Sequence, residues 1–306
     1  MLVIGLTGDV GGGKSSVALL WEKEGAHIVD ADKIVRELWR EPEIIEAAVT
    51  RWGSVILDSD GSVRPQVIAR LAFSDVREYR WLCDLIHPKV MRRMERAVFA
   101  SNRWVVAEIP LLFEVGVPWW VDFVVYVTAP PDERLARLSS ARGWGEEELR
   151  GREAYLLPRE EKIRSSHWVI ENDGTPEELR AKAAELAEMF SFFSEPIEVT
   201  VSCGSEEEAR RLSKAVIDRR KAACVHVYPI ESLYWWKGNV EEDHEWEVSF
   251  KTVLPLYPDL VGIISKEHSY EVPVINMASV VKANRDALLW LWEELSGEPD
   301  NHAHRS

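Results

Sequence analysis

Residues 8–15, which read GDVGGGKS, constrain the fold of this chain more than any other segment. They match the pattern G-x-x-x-x-G-K-[ST] in full. An apolar run, Val3–Leu6, precedes them, and a helical stretch, Ser16–Lys23, follows. Glycines let backbone N–H groups turn inward around a phosphate, and the helix N-terminus adds partial positive charge. The segment therefore predicts a strand, a phosphate-binding loop and a helix. The alternative is a glycine-rich turn before an ordinary helix.

The loop also predicts individual roles. Lys14 is expected to reach the β- and γ-phosphates of a nucleotide, and the Ser15 hydroxyl to bind Mg²⁺. The expected phosphate-binding residues of the loop are Gly8, Gly11, Gly12, Gly13, Lys14, Ser15 and Ser16.

Two carboxylates at predicted strand ends are candidates for the chemistry of phosphoryl transfer. Asp32 lies just after the strand His27–Asp30, and a carboxylate there can accept the proton of an attacking hydroxyl. Its alternative role is to cap the helix Lys33–Arg40. Glu108 ends a third strand and is expected to help hold Mg²⁺ through water or to contact the acceptor. The alternative is that Glu108 is an ordinary carboxylate at a strand end, exposed to solvent.

Three arginines, Arg134, Arg137 and Arg142, follow the predicted strand Phe123–Thr128. A Gly/Glu-rich stretch, Gly143–Gly151, comes next. This arrangement predicts a mobile lid whose arginines neutralise charge on the transferring phosphoryl group, with Arg142 catalytic. For Arg134, a solvated charge on a helix is the alternative.

Composition narrows the class of protein. A net charge of −15 argues against a nucleic-acid partner. No apolar stretch has the roughly 20 residues that a membrane span needs. Met1–Leu6 lacks a basic segment, so we expect no signal peptide. Three widely spaced cysteines form no disulfide framework, which indicates a cytoplasmic protein.

The chain divides into two halves of different character. Five β-rich runs alternate with helical stretches such as Pro88–Ala100, up to a helix that begins at Thr175 and ends near Phe190. The runs are Val3–Thr7, His27–Asp30, Trp104–Ile109, Phe123–Thr128 and Trp168–Glu171. This alternation predicts a parallel sheet with helices on both faces. The serines and the proline of residues 191–196 mark the boundary. We predict a first domain over residues 1–192, a linker over 193–196, a second domain over 197–297 and a tail over 298–306.

The second half predicts a ferredoxin-like α+β domain. A strand over Glu198–Cys203 precedes a helix that begins at Ser205 and ends near Lys221, and a further strand over Ala222–Pro229 follows. A hairpin comes next, with its turn at Lys237–Asn239 and a return strand through Lys251. A second helix is predicted over Asp286–Leu295.

The first half resembles the dephospho-CoA kinase family over about residues 1–190. The resemblance is carried by the phosphate loop, Asp30-Ala31-Asp32 with Arg36, His87-Pro88 and the run EIPLLFE at residues 108–114. It continues through Arg137 and Arg142, the segment Pro158–Lys162, and Val169–Asn172. Pro65, Leu156 and His167 depart from the family pattern.

This resemblance implies a P-loop kinase with a helical insert and a lid. The implied reaction is Mg²⁺-dependent transfer of phosphate from ATP to the ribose 3′-hydroxyl of dephospho-CoA. Asp32 would be the base. Arg36, His87 and Glu108 would contact the acceptor, and Asn172 would lie near the base of ATP.

The second half resembles the CutA divalent-ion-tolerance family over about residues 197–296. Lys221–Val225, Ser232–Gly238, Phe250–Thr252 and His268–Pro273 carry the resemblance. It implies a homotrimer and a divalent metal such as copper at Cys203 and His268. The alternatives are a buried structural cysteine at 203, or a weaker pair formed by Cys224 and His226.

Two other functions stay open at this point. The chain can be another small P-loop kinase that acts on a different hydroxyl, or a nucleotide-binding scaffold for a metal-response protein. His87-Pro88 in its helical insert favours the dephospho-CoA kinase over the first, and Lys14, Ser15 and Asp32 argue against the second.

Overall fold

The computed structural model describes residues 1–297, so the predicted tail, residues 298–306, lies outside the described part of the chain. The chain splits into two compact units. One comprises residues 3–187, and the other comprises residues 188 onward together with residues 1–2. They are called the first and the second unit below, and each is described by itself.

The first unit is built on a five-stranded parallel sheet with the strand order β2-β3-β1-β4-β5. Strands β1, β3 and β4 are buried along their whole length, as expected for parallel strands covered on both faces. The strands are β1 (Val3–Gly8), β2 (His27–Asp30), β3 (Val105–Glu108), β4 (Phe123–Thr128) and β5 (Trp168–Glu171).

Helices connect and follow these strands. The last of them, α9, runs on to Phe193, which is buried. The helices are α1 (Lys14–Lys23), α2 (Ala31–Leu38), α3 (Pro42–Trp52), α4 (Pro65–Ala72), α5 (Val76–Phe99), α6 (Pro131–Arg142), α7 (Glu146–Glu153), α8 (Arg159–Arg164) and α9 (Pro176–Phe193), with a short 3₁₀ turn at Ser54–Ile56.

Two helix boundaries differ from the sequence-based expectation. Helix α5 does not begin at Pro88. It begins after Asp75, whose carboxylate accepts the Arg77 N–H, and passes through the proline. Helix α9 extends past Phe190, so only Ser194 and Glu195 separate it from the next strand. In both cases the helix continues past the residue at which the sequence pattern predicted a boundary, Pro88 in α5 and Phe190 in α9.

The second unit has a four-stranded antiparallel sheet with the order β7-β8-β6-β9. Its elements are β6 (Pro196–Cys203), α10 (Glu206–Ile217), β7 (Cys224–Trp236), β8 (Asn239–Val253), α11 (Tyr257–Glu267), β9 (Ile275–Ser279) and α12 (Arg285–Ser296), with a 3₁₀ turn at Leu254–Leu256. The order βαββαβ is the predicted ferredoxin-like arrangement. The sequence patterns do not predict α11, whose only buried residues are Leu260 and Ile264, and the predicted second helix corresponds to α12.

The hairpin of the second unit is longer and tighter than predicted. Strands β7 and β8 pair without interruption from Cys224 opposite Lys251 to Trp236 opposite Asn239. The turn therefore has two residues, Lys237 and Gly238, with φ angles of 48° and 88°. Positive φ at both positions is typical of a type I′ turn, whose twist matches that of the strands.

Candidate active site

The phosphate loop connects β1 to α1 and packs closely against β4 and the end of β5. Gly8 has a φ of 146°, and a Cβ there would lie 2.0 Å from the carbonyl oxygen of Val127. At Gly13, with a φ of 105°, a Cβ would lie 2.3 Å from Nδ2 of Asn172. Neither position tolerates a side chain. Gly8 and Gly13 are therefore required for close packing of the loop as well as for the inward-turned backbone that phosphate binding needs.

Lys14 folds back over the loop. Its Nζ donates hydrogen bonds to the carbonyl oxygens of Gly8 (3.1 Å) and Asp9 (2.9 Å). Burial lowers the pKa of Lys14, and the negative charges of Glu108, Asp32 and Asp9 oppose that shift. The ammonium group is thus held at the loop by backbone oxygens and can turn toward a phosphate.

Ser15 and Glu108 lie side by side although 93 residues separate them. The Ser15 hydroxyl donates to Oε1 of Glu108 at 2.8 Å. The pairing of β1 with β3 produces this contact, because the register sets Leu6 beside Glu108 and so brings the end of β3 under the loop. Burial raises the pKa of Glu108. A hydroxyl and a carboxylate at a phosphate loop are the oxygen ligands that Mg²⁺ prefers, so these two residues fit a magnesium site.

Asp32 is not the cap of helix α2. Asp30 caps it, with its carboxylate accepting the N–H of Lys33 at 3.1 Å. Asp32 lies in the first turn of α2, and its side chain is exposed to the solvent of the open cavity. The capping alternative was therefore wrong, and the Asp32 carboxylate is free for another role.

The pKa of Asp32 is raised even though solvent reaches the side chain. The surrounding protein removes part of the hydration of the carboxylate, and the charge of Asp30 adds to this effect, whereas Lys14, Arg36 and Arg142 lower the pKa. A carboxylate that is incompletely hydrated and still open to the cavity can receive a proton from a bound hydroxyl.

A cavity of about 440 Å³ brings these groups together. The phosphate loop, Asp32 and Glu108 line one part of it. Helix α6 and the segment after it line another part, through Arg137, Arg142 and Trp144. The remaining walls are mostly apolar and include Phe73, Tyr79, Leu111, Leu138 and Leu156.

The three arginines predicted for the lid differ in their surroundings. Arg134 is buried and donates to the carbonyl oxygen of Val10 and to Glu153, so it is not a solvated helix charge. Arg137 donates to Glu133 (2.6 Å) and to the backbone oxygen of Asn172 (3.0 Å). Its Nη1 is buried and has no hydrogen-bond partner among residues 1–297. A phosphate oxygen is the kind of acceptor that this unpartnered N–H would take.

Asn172 lies directly behind the loop. Its Nδ2 donates to the carbonyl oxygen of Gly12 at 2.9 Å, and its backbone N–H pairs with Thr128. It is not among the residues that line the 440 Å³ cavity. The amide group therefore supports the shape of the phosphate loop in this structure.

The predicted acceptor contacts are not all at this cavity. His87 lines a separate cavity of about 810 Å³, which shares Tyr79 and Leu156 with the first one. Burial lowers the pKa of His87. Arg36 is largely exposed, lies 3.6 Å from Asp30 and lines neither cavity. Of the four expected acceptor residues, Asp32 and Glu108 thus lie at the phosphate loop.

A buried network around Asp9 was not predicted from the sequence. The Asp9 carboxylate accepts the hydroxyls of Tyr126 (2.7 Å) and Thr128 and the Nε–H of Arg159 (3.2 Å). These contacts fasten the loop to β4 and to the start of α8. An acidic residue inside a phosphate loop was the available signal, because a buried carboxylate requires donors. The sequence could not say which donors.

Comparison with known proteins agrees with this geometry. The family model "Dephospho-CoA kinase" matches residues 2–178. The chain belongs to the dephospho-CoA kinase family.

Two dephospho-CoA kinases and one solved structure are similar to this chain over the same extent. The enzyme of Corynebacterium efficiens is 38% identical over 192 residues, which covers 61% of this chain and 96% of that protein. The enzyme of Geobacillus kaustophilus is 36% identical and covers 58% and 92%. The crystal structure of TT1252 from Thermus thermophilus is 35% identical, with a TM-score of 0.52, and covers 61% of this chain and 97% of that one.

A second family model matches the other part of the kinase chain. The model "CutA1 divalent ion tolerance protein" matches residues 197–294. A divalent cation tolerance protein from Thermus thermophilus is 37% identical, covering 32% of this chain and 97% of that one, with a TM-score of 0.32. None of the helices in residues 1–297 combines the length and the hydrophobicity that a membrane-spanning helix requires.

The candidate metal ligands of the CutA1 part do come together. Sγ of Cys203 lies 3.7 Å from Nε2 of His268. Both nitrogens of the ring, however, have backbone partners: Nε2 lies 2.8 Å from the Ser202 carbonyl oxygen, and Nδ1 accepts the N–H of Tyr270 at 3.0 Å. Burial raises the pKa of the Cys203 thiol to about 12.

This arrangement does not fit a copper or other divalent site. A ring that donates from Nε2 and accepts at Nδ1 has no free lone pair for a metal, so His268 is not available as a ligand in this arrangement. Among residues 1–297, no three His, Cys, Asp or Glu side chains lie together as metal ligands. The alternative pair, Cys224 and His226, therefore also lacks a third ligand. We interpret Cys203 and His268 as a structural pair.

Proposed function

We propose that the first unit transfers the γ-phosphoryl group of ATP to the ribose 3′-hydroxyl of dephospho-CoA, with Mg²⁺ bound at Ser15 and Glu108. One observation carries this proposal: a single cavity holds a phosphate loop and an accessible carboxylate, Asp32, with a raised pKa. A base with a raised pKa suits proton abstraction from a hydroxyl. The free thiols of the three cysteines support a cytoplasmic setting.

The residues around the cavity divide the task. Lys14 and the loop N–H groups bind the β- and γ-phosphates, and Arg137 and Arg142 neutralise the charge that develops on the transferring group. Magnesium supplies charge neutralisation at the phosphate oxygens. Asp32 takes the proton of the acceptor hydroxyl. In phosphoryl transfer, most of the rate acceleration comes from the positioning of the reactants and from electrostatic stabilisation of the transition state.

The neighbouring cavity supports an extended acceptor. It shares the lining residues Tyr79 and Leu156 with the first cavity and is about 810 Å³ in volume, with His87 and Glu114 in its walls. A short acceptor such as a free nucleoside would leave it unused. A nucleotide with a long arm can occupy both, which is why His87 belongs to acceptor binding in this proposal.

A coupled ADP-release assay with ATP, Mg²⁺ and a panel of acceptors tests this function. We expect dephospho-CoA to give a kcat/KM at least about 10²-fold above adenosine and AMP, because only dephospho-CoA fills both cavities. Equal or higher rates with another hydroxyl compound would instead identify the chain as a different small P-loop kinase.

For the second unit we propose a homotrimer assembled through the β7–β8 hairpin. Four large apolar side chains near its tip are exposed in the single chain, at 69% for Leu233, 75% for Trp235, 52% for Trp236 and 57% for Val240. Adjacent residues of a strand point to opposite faces, and yet both tryptophans are exposed. Strand β7 also lies at the edge of its sheet. Neighbouring copies of the chain would cover both the ring faces and the edge.

Light scattering on the full chain should give a mass near three times 35.0 kDa. Replacing Trp235 by glutamate should shift the mass toward that of the monomer, because it buries a charge in the interface. The matched control is Trp119→Glu, which alters another exposed tryptophan in the first unit and should leave the mass unchanged. A monomeric wild-type protein at micromolar concentration would refute the trimer.

A further inference from the structure

Arg142 is the least constrained arginine of the active site. It is the last residue of α6, and its side chain is exposed and lines the 440 Å³ cavity. Within residues 1–297 it forms neither an ion pair nor a hydrogen bond, in contrast to Arg134 and Arg137. An exposed arginine without such partners samples many rotamers, and only some of these place the guanidinium over the cavity.

The contact that restrains this guanidinium in the described part of the chain is an aromatic ring. Its Cζ lies 4.9 Å from the centroid of the Trp144 ring, two residues further on. Between them stands Gly143, with a φ of 68°, which turns the chain back so that the ring can meet the arginine. The negative face of an indole ring attracts a cation and restricts its movement without neutralising its charge.

Trp144 is itself held by its surroundings. The guanidinium of Arg152, on α7, lies 4.0 Å from the Trp144 centroid and 5.3 Å from the centroid of Phe73. Arg152 is paired with Glu148 at 2.9 Å. Phe73 in turn packs with Tyr79 and Tyr155. These contacts form a continuous stack from the end of α4, through helix α7, to Arg142.

We propose that Trp144 is a positioning residue for phosphoryl transfer: its ring holds the Arg142 guanidinium at the phosphate end of the cavity. The inference rests on the proposed function, in which Arg142 neutralises the transferring group. A salt bridge with a carboxylate would hold Arg142 in the same place, but it would also neutralise the charge of the guanidinium. A tryptophan leaves the full charge for the phosphoryl group.

Trp144→Ala should lower kcat with dephospho-CoA by about three- to thirtyfold, the range that the loss of one cation–π contact corresponds to. The KM for ATP should change less than about twofold, since the phosphate loop is untouched. Trp144→Phe keeps an aromatic face and should recover most of the loss. Thermal melting of each variant shows whether the protein remains folded, and Trp119→Ala, at an exposed tryptophan stacked on Phe99, is the matched control.

A double-mutant cycle decides how Trp144 acts. Arg142→Ala should lower kcat more than Trp144→Ala does, and adding Trp144→Ala to it should have no further effect. Additive losses, or failure of Trp144→Phe to recover activity, would overturn the inference and leave the proposed function standing. A wild-type kcat for Arg142→Ala would overturn the proposed role of Arg142 and this inference together.

Discussion

Lys14→Ala is expected to lower kcat by about 10³-fold or more, one of the two largest effects that we predict. The Nζ of Lys14 lies within 3.1 Å of two carbonyl oxygens of the phosphate loop and has no carboxylate partner within ion-pair distance in the described residues. Its positive charge is therefore available to the β- and γ-phosphates. ADP release with saturating ATP and dephospho-CoA measures the change.

The control for this prediction is Lys23→Ala. Lys23 is an exposed residue at the far end of the same helix, α1, and its replacement should leave kcat unchanged. Thermal unfolding of Lys14→Ala should stay near that of the wild type, because within residues 1–297 the side chain donates hydrogen bonds only to loop oxygens. Turnover within about tenfold of the wild type would contradict the assignment of the ATP site.

Asp32→Asn is expected to lower kcat by about 10²- to 10⁴-fold with little change in ATP affinity. Asparagine has the size of aspartate but cannot accept the proton of the acceptor hydroxyl. Asp30→Asn provides a matched control. Asparagine caps helices as well as aspartate does, so the cap of α2 survives while the charge is lost. A kcat for Asp32→Asn close to that of Asp30→Asn would show that Asp32 is not the base.

The pH dependence of kcat/KM gives a second test of Asp32. Its pKa is raised above the ordinary value of 3.8, chiefly by lost hydration and then by the charge of Asp30. The base must be ionised to act. Activity should therefore fall as the pH drops through this raised pKa, at a higher pH than a fully hydrated aspartate would cause. In Asp30→Asn one raising influence is gone, so the acid limb of the profile should move to lower pH.

Much of the fold followed from local sequence patterns. The five strands of the first unit lie where their β-rich runs predicted, and the glycine loop is followed by α1 as expected. Local sequence patterns predicted the wrong helix boundaries where tertiary packing extends a helix. Helix α5 continues through Pro88, and α9 continues past Phe190 to the buried Phe193. In the second unit, α11 has too few buried residues to show a helical period.

Some features of the candidate site could likewise be predicted from the sequence, and others could not. The sequence alone could place Lys14 and Ser15 at the phosphate loop, because the motif that contains them is contiguous. Ser15 lies against Glu108 because β1 pairs with β3, and that pairing cannot be read from either segment alone. The partners of Asp9 are 117 to 150 residues away in the sequence for the same reason.

The sequence by itself determined the kind of chemistry: a phosphate loop, a nearby aspartate and a set of arginines, followed by a second domain with the CutA1 pattern. Only the tertiary structure decided how these groups divide the work. It assigned the helix cap to Asp30 and left Asp32 at the cavity, buried Arg134 beneath the loop, and placed His87 in a separate cavity. It also showed that both nitrogens of His268 are occupied. The physical reason is that charge, burial and hydrogen-bond saturation depend on neighbours that the chain brings together only when it folds.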